Sequence, residues 1–282
     1  MLNTISKKTI LLLNHLFKKA SWFDILNKSD KDTLNYALKS GEVVLKQFDG
    51  FNDFKDKTVL DFGCGFGGKT AYYSSLGAKK VYGVDFHSDF SLVQNYCEDK
   101  ALNIDFLTLK EDGLLPLEDA SVDVVISSAV FEHVLNIDTA LKEIKRILKP
   151  DGLFLNRWHP YATRHGSHVN GLIGIPFVHL FFSEKNIMQV YEQLLKNKTD
   201  KIGHTLLYKV NDKEFQSWGD IGLQFNYLNI KQMSDKMKEH GFDIFEKRYF
   251  LDKSKHDFVK YLPDYFKTFF IDYEIIISRK NE

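Results

Sequence analysis

The chain has 282 residues, 44% hydrophobic and 27% charged, enough apolar material for one large α/β domain or a domain carrying a cap. Its 38 Lys+Arg balance 38 Asp+Glu, so no basic excess favours nucleic acid as the main partner. The two cysteines, Cys64 and Cys97, form neither a metal spacing nor a disulfide framework, which fits a reducing cytoplasm, and no apolar run reaches the length of a membrane span.

Lys7-Lys8 ahead of Thr9–Leu13 has the outline of a leader. Asn14 and His15 interrupt the apolar run, and no clear small-residue cleavage site follows Lys18-Lys19. Residues 4–18 are therefore read as an amphipathic helix of the mature protein, with Ile5, Leu12, Leu13, Leu16 and Phe17 near helical spacing. A second helix is expected over 31–48, carrying Leu34, Ala37, Leu38, Val44, Leu45 and Phe48. Residues 1–50 are assigned as an N-terminal helical lid, although packing on the main domain accounts for the same pattern.

The alternating core starts at Thr58. Val59, Leu60 and Phe62 read as a buried parallel strand, and Gly63, Gly65, Gly67 and Gly68 follow at once. Such glycines mark a turn that needs φ > 0 or a close ligand approach, and Ala71–Leu76 suggests a helix after it. Strand, glycine loop and helix N-terminus make a nucleotide cradle. The glycines fit both G-x-G-x-x-G and G-x-G-x-G, so the loop alone leaves the ligand class open.

Further strands are expected at 80–85, 104–109, 122–127 and 152–156. Helices are expected at 88–99, with Ser88 as N-cap, and at 137–148, ended by Lys149-Pro150-Asp151-Gly152. Strand–helix alternation of this kind predicts a doubly wound, mostly parallel sheet. The pattern breaks from Trp158 to about Phe225, a stretch rich in aromatic and histidine residues with a helix near 184–196. It resumes with a helix at 230–240 and strands at 242–250 and 273–278. The division is a core over 51–157, an inserted substrate cap over 158–228, and the core's C-terminal part over 229–282.

In a doubly wound sheet, ligands bind at the carboxyl ends of the strands. Asp61 precedes the glycine loop there. Asp85 ends the second strand, 22 residues beyond Gly63, in position to accept from ribose hydroxyls. Asp112 follows the third strand and is placed to accept from an exocyclic amine or a loop N–H.

With these residues in view, a family resemblance emerges. Val59–Gly67 resembles the first motif of the class I S-adenosylmethionine-dependent methyltransferases. Val81–Asp85 resembles their second, Glu111–Val125 the stretch bearing the adenine-side acid, and Ile147–Phe154 the turn into the fifth strand. The pattern is most similar to the small-molecule enzymes of the ubiquinone/menaquinone-biosynthesis type. The resemblance implies a Rossmann-like, seven-stranded, mostly parallel sheet with an antiparallel last strand, and S-adenosylmethionine as cofactor. It implies cofactor contacts from Asp61, Gly63, Gly65, Asp85 and Asp112, and the neighbouring Cys64, Gly67, Phe86, Gly113 and Ser128 complete the candidate set. The loop Ser127–His133 is expected beside the methyl donor. The long 158–225 insertion departs from the family, so the acceptor is not inherited.

Methyl transfer from a sulfonium creates little new charge, and the protein's work is alignment and exclusion of water, worth roughly 7–11 kcal/mol. An oxygen nucleophile also needs its proton removed, and a histidine near neutral pKa suits this, at about 10²–10⁴-fold in rate. His133 and His159, each following a core strand, are the candidate bases. Glu132, Trp158, Arg164, His165 and His168 are candidate acceptor contacts. His159, His165 and His168 match no metal-ligand template, so no metal is assigned. A small, hydroxyl-rich acceptor such as a sugar, methylated on oxygen, suits this polar mix; methylation of nitrogen or carbon, and non-catalytic cofactor binding, are the alternatives. A nicotinamide enzyme fits less well, since Asp61, Asp112 and the Lys-Pro-Asp-Gly turn have no part in a dinucleotide site.

Overall fold

Alternate residues of each central strand face opposite layers. Leu60, Val125, Phe154 and Ile276 point into one core, while Val59, Val124, Leu155, Ile275 and Ile277 point into another. Both sheet faces are therefore covered, and burying each such side chain contributes roughly 1.5–3 kcal/mol. The computed structural model describes residues 2–17, 19, 29–86, 89–199, 215–221, 223–251, 254–255 and 257–281.

The strands are β1 (Thr58–Phe62), β2 (Lys80–Asp85), β3 (Ile104–Thr108), β4 (Val122–Ser128), β5 (Leu148–Trp158), β6 (Phe242–Leu251), β7 (Ser254–Lys255) and β8 (Tyr273–Lys280). Their order is β3-β2-β1-β4-β5-β8-β6-β7. β1 to β5 pair in parallel, and β8 runs antiparallel to both β5 and β6. The expected seven-stranded sheet is present, with the two-residue β7 added at its edge. β5 begins earlier than expected. Leu148 already pairs with Val122, and Lys149–Gly152 then bulges out before Leu153 pairs with Val124.

The helices are α1 (Leu2–Asn14), α2 (Asp30–Lys46), α3 (Gly68–Ser74), α4 (Ser91–Asp99), α5 (Ile137–Ile147), α6 (Val178–Phe181), α7 (Glu184–Thr199), α8 (Ile230–Glu239) and α9 (Asp264–Lys267). Asn136 caps α5 by accepting from the Thr139 amide, and Asn229 with Gln232 closes a capping box on α8. Ser88 lies outside the described residues, and α4 starts at Ser91. The two N-terminal helices pack in different places. α2 lies along α3 beside the core, whereas Ile10 of α1 joins the separate apolar cluster of the 158–225 segment with Leu172, Ile187 and Tyr191. Asn14 ties α1 there, donating to the Leu172 carbonyl and accepting from the Gly174 amide, both at 2.8 Å.

Candidate active site

The glycine loop leaves β1 at the carboxyl edge of the sheet. Gly63 has φ 77°, and a Cβ there would stand 2.2 Å from Val130, so neither the turn nor the packing admits a side chain. At Gly65, with φ 57°, a Cβ would meet nothing within 4 Å: the loop borders open space here. Its amide donates to Asp85 at 2.8 Å, which fixes the loop to the end of β2. Gly67 is the N-cap of α3 and packs under Phe106, a structural duty.

Asp61 is fully buried. One carboxylate oxygen accepts from Thr70 Oγ1 at 2.7 Å, and the other has no hydrogen-bond partner among the described residues. Burial raises its pKa, opposed by the charge of Lys69 and the Thr70 hydrogen bond. A buried carboxylate oxygen with an unmet acceptor, beside a loop facing open space, fits the ammonium group of an amino-acid cofactor. Cys64 is buried, and burial pushes its thiol pKa up, which removes it as a nucleophile. Phe86 is exposed. Asp112 accepts from the Leu114 amide at 3.0 Å in the turn containing Gly113, whose φ is 74°. Arg146 and Glu143 of α5 steady this loop: Arg146 donates to the Leu115 and Leu117 carbonyls, and Glu143 accepts from the Leu115 amide.

Ser128 joins the two sides of the site. Its carbonyl accepts from Lys69 Nζ at 3.1 Å, and its hydroxyl accepts from Arg157 Nη1 at 3.3 Å. Arg157 lies 4.0 Å over the Tyr273 ring, and Gln47, just past α2, donates to the Tyr273 hydroxyl at 2.8 Å.

Beyond Ser128 stands a cluster of Glu132, His133, His159 and His168. His133 Nδ1–H donates to the Gln224 carbonyl at 2.7 Å, and its Nε2 lies 3.2 Å from His168 Nδ1. His168 Nε2 lies 3.5 Å from Glu132 Oε1. His159 Nδ1–H donates to the Asp272 carbonyl at 3.0 Å, and its ring stands edge-on to His168 with centroids 5.4 Å apart. Burial pushes the Glu132 carboxyl up to about 7, against the backbone amides of Glu132 and His159 and the charge of Arg157. Burial also lowers the histidines: His133 below the usual imidazole range, His159 well below it with help from Arg157 and His168, and His168 to about 3. All three are neutral near pH 7. Phe225 packs against His133 and His168, and Tyr161 and Tyr227 pack behind it.

The structure thus gathers Glu132, His133, His159 and His168, and sends the other three candidates elsewhere. Trp158 is fully buried in the main core, its indole donating to the buried Glu274 at 3.0 Å, so it does not line the cluster. Arg164 is engaged by Asp272 through bonds of 3.2 and 3.0 Å. His165 contributes a turn, its carbonyl accepting from the His168 amide at 2.9 Å. Sequence reasoning gave Arg157 no specific role and left out Phe225. Arg157 carried a signal, since it follows Asn156 at the carboxyl edge of β5. Phe225 carried none, because only the fold of the insertion brings it to His133.

The strand order, the glycine loop and the acids at the strand ends define a class I S-adenosylmethionine-dependent methyltransferase domain. Residues 60–156 match the family described as "Methyltransferase domain". S-adenosylmethionine is the cofactor of this class, and Asp61, the 63–65 loop and Asp85 fit it. The chain is 33% identical over 107 residues to a ubiquinone biosynthesis O-methyltransferase of Maricaulis maris, covering 38% of this chain and 42% of that protein. It is 38% identical over 109 residues to protein arginine N-methyltransferase 1 of Schizosaccharomyces pombe, covering 36% of this chain and 31% of that protein. The chain thus spans less than half the length of either relative. In fold it is similar to an S-adenosylmethionine dependent methyltransferase from Mesorhizobium loti, with TM-score 0.52 and 16% identity over 83% of this chain and 95% of that one. No helix among the described residues is long and apolar enough to cross a membrane.

Proposed function

We propose that the protein is an S-adenosylmethionine-dependent methyltransferase that methylates an oxygen of a small, hydroxyl-rich acceptor such as a sugar or related metabolite, in the cytoplasm. One observation carries this reading: Ser128 bonds to Lys69, in the helix that follows the glycine loop, and to Arg157, at the end of β5 beside the polar cluster, so the two sides of the site share one residue. When bound, the cofactor supplies a methyl carbon on a positively charged sulfur, which keeps the electron pair of the broken C–S bond.

The chain's own residues do the rest. Asp61 and the 63–65 loop hold the donor, and Arg157, steadied by Tyr273 and Ser128, offers a cation to the acceptor's polar groups. His159, which burial makes a weaker base than the near-neutral histidine expected, takes the hydroxyl proton as the new O–C bond forms and the oxygen becomes strongly acidic. Its Nδ1 proton is held by the Asp272 carbonyl, so Nε2 is the basic atom, whereas His133 Nε2 is already engaged with His168. The aromatic wall and the insertion keep water away.

The test is a panel of sugars, phenols, amines, thiols and carbon acids, with release of S-adenosylhomocysteine as readout. Turnover on hydroxyl acceptors is expected. Turnover on amines, thiols or carbon acids alone overturns the oxygen assignment, and tight cofactor binding with no turnover on any member points to a binding protein.

A further inference from the structure

We propose that Glu132, His133 and His168 form a site for one divalent cation, zinc by its donor set, whose open position takes the acceptor oxygen. The proposal rests on the reading of this cluster as the acceptor side of a methyltransferase. The spacing of His159, His165 and His168 matches no metal template. The fold offers a different trio, in which one ligand atom from each of Glu132, His133 and His168 lies within 4.8 Å of the others.

Four observations point to a cation. First, His133 Nε2 and His168 Nδ1 are 3.2 Å apart. Zinc–nitrogen bonds of about 2.0–2.1 Å place tetrahedral ligands roughly 3.3–3.4 Å apart, so this edge is close to that of a zinc site. Second, the far nitrogen of His133 donates to the Gln224 carbonyl, the outer-shell bond that orients a ligating imidazole, and Nε2 would exchange its contact with His168 for the metal. Third, Glu132 is 1% exposed, and neither of its carboxylate oxygens has a hydrogen-bond partner among the described residues. The charge of Arg157 and the backbone amides of Glu132 and His159 only partly offset its burial, and a cation bound at the carboxylate would complete the compensation. Fourth, His168 has φ 58°, a left-handed conformation rare for a residue with a side chain and concentrated at functional sites.

Imidazole donors favour zinc over magnesium or calcium. Two histidines and one carboxylate leave a fourth position open, as in catalytic rather than structural zinc sites. The His168 side chain retains 22% exposure, which gives the open position a route to solvent. There the cation acidifies a bound hydroxyl, and the proton passes to the adjacent His159 Nε2.

The test uses the full chain stripped by a chelator, titrated with Zn²⁺ by calorimetry and with Co²⁺ by visible absorption. One ion per chain is expected, with the d–d bands of tetrahedral cobalt. Glu132→Gln and His168→Ala should each weaken zinc binding at least about 100-fold, beyond the loss of an outer-shell partner. His179→Ala, in the same insertion but outside the trio, should bind zinc normally. S-adenosylhomocysteine binding in each variant reports the integrity of the fold. Zinc binding equal in wild type and Glu132→Gln, or an equal loss in His179→Ala, overturns the site. Zinc binding lost with the trio in a chain that never binds S-adenosylhomocysteine leaves the metal site standing and removes the methyltransferase reading.

Discussion

The cofactor side and the acceptor side of the cleft are built in different ways. The cofactor side comes from consecutive strand ends, Asp61 to Asp85, and much of its work is done by backbone: left-handed glycines and an amide pinned to Asp85, beside a buried acid that accepts from Thr70. The acceptor side is assembled from side chains that lie far apart in the chain, with Glu132 and His133 meeting His168 and Gln224, and His159 meeting Asp272. A site of the first kind is robust to changes in the insertion, because its geometry is set by the sheet and the loops at its edge. A site of the second kind depends on the whole insertion being seated, and there a lineage of shared cofactor is free to change its acceptor.

The sharpest way to break the cofactor side is Gly63→Val. The added Cβ meets Val130 at 2.2 Å, in a backbone that disfavours any side chain. We expect a stability loss of about 3–5 kcal/mol and no measurable binding of S-adenosylhomocysteine. Adding Val130→Ala restores space but not the backbone preference, so thermal unfolding of the double variant should recover only part of the loss. Near-normal cofactor binding by Gly63→Val would remove the loop as the cradle. Asp61→Asn separates binding from stability. It keeps the Thr70 contact and removes a buried charge, so stability should hold or rise. Cofactor affinity should fall about 10–100-fold, the worth of a hydrogen bond to a charged group. Calorimetry and unfolding on the same sample check both signs.

These two changes act where the sequence was easiest to read. A short apolar run and its glycines are neighbours in the chain, and the acid at the next strand end follows within one strand–helix–strand unit. The alternation of strand and helix segments made the doubly wound sheet legible in the same way. The acceptor side had no such signal. Glu132 and His133 were found because they follow β4, and His159 because it follows β5. Nothing in the spacing showed that His168 would turn left-handed to meet them, or that Trp158 would bury itself against Glu274. The helices at 1–50 looked like one unit, yet the apolar face of α1 is completed by the insertion and that of α2 by α3. A hydrophobic period tells which face is buried, not what buries it.

Arg164→Met tests whether the insertion must be seated for chemistry. It removes the two charge-assisted bonds to Asp272, the residue whose carbonyl also aims His159. We expect about 1–2 kcal/mol of lost stability, a clear fall in turnover and unchanged affinity for S-adenosylhomocysteine. A fall in cofactor affinity matching the fall in turnover would mean that the two sides are not separable in this way.

The smallest effect is expected at the edge of the cofactor side, where Glu143 holds the loop after β3. Its carboxylate accepts from Arg146 at 2.7 and 2.9 Å and from the Leu115 amide at 2.8 Å, and the Arg146 hydrogen bonds, as the largest cause, lower its pKa. A carboxyl whose folded pKa is depressed stabilises the fold above its unfolded value, near 4.3, and that contribution is lost as pH falls through the lower folded value. In Glu143→Gln the amide oxygen still accepts from Leu115, but the titration is gone. The difference in unfolding free energy between wild type and variant should therefore be level, at about 1 kcal/mol for a partly buried pair, from neutral pH down to about 5. Below that it should shrink toward zero. Parallel pH profiles at all acidities would show that the loop is held by the Arg146 carbonyl bonds alone. Convergence in acid, with cofactor affinity changed no more than a few-fold, would show that even this side-chain pair only steadies a cradle whose geometry is carried by its backbone.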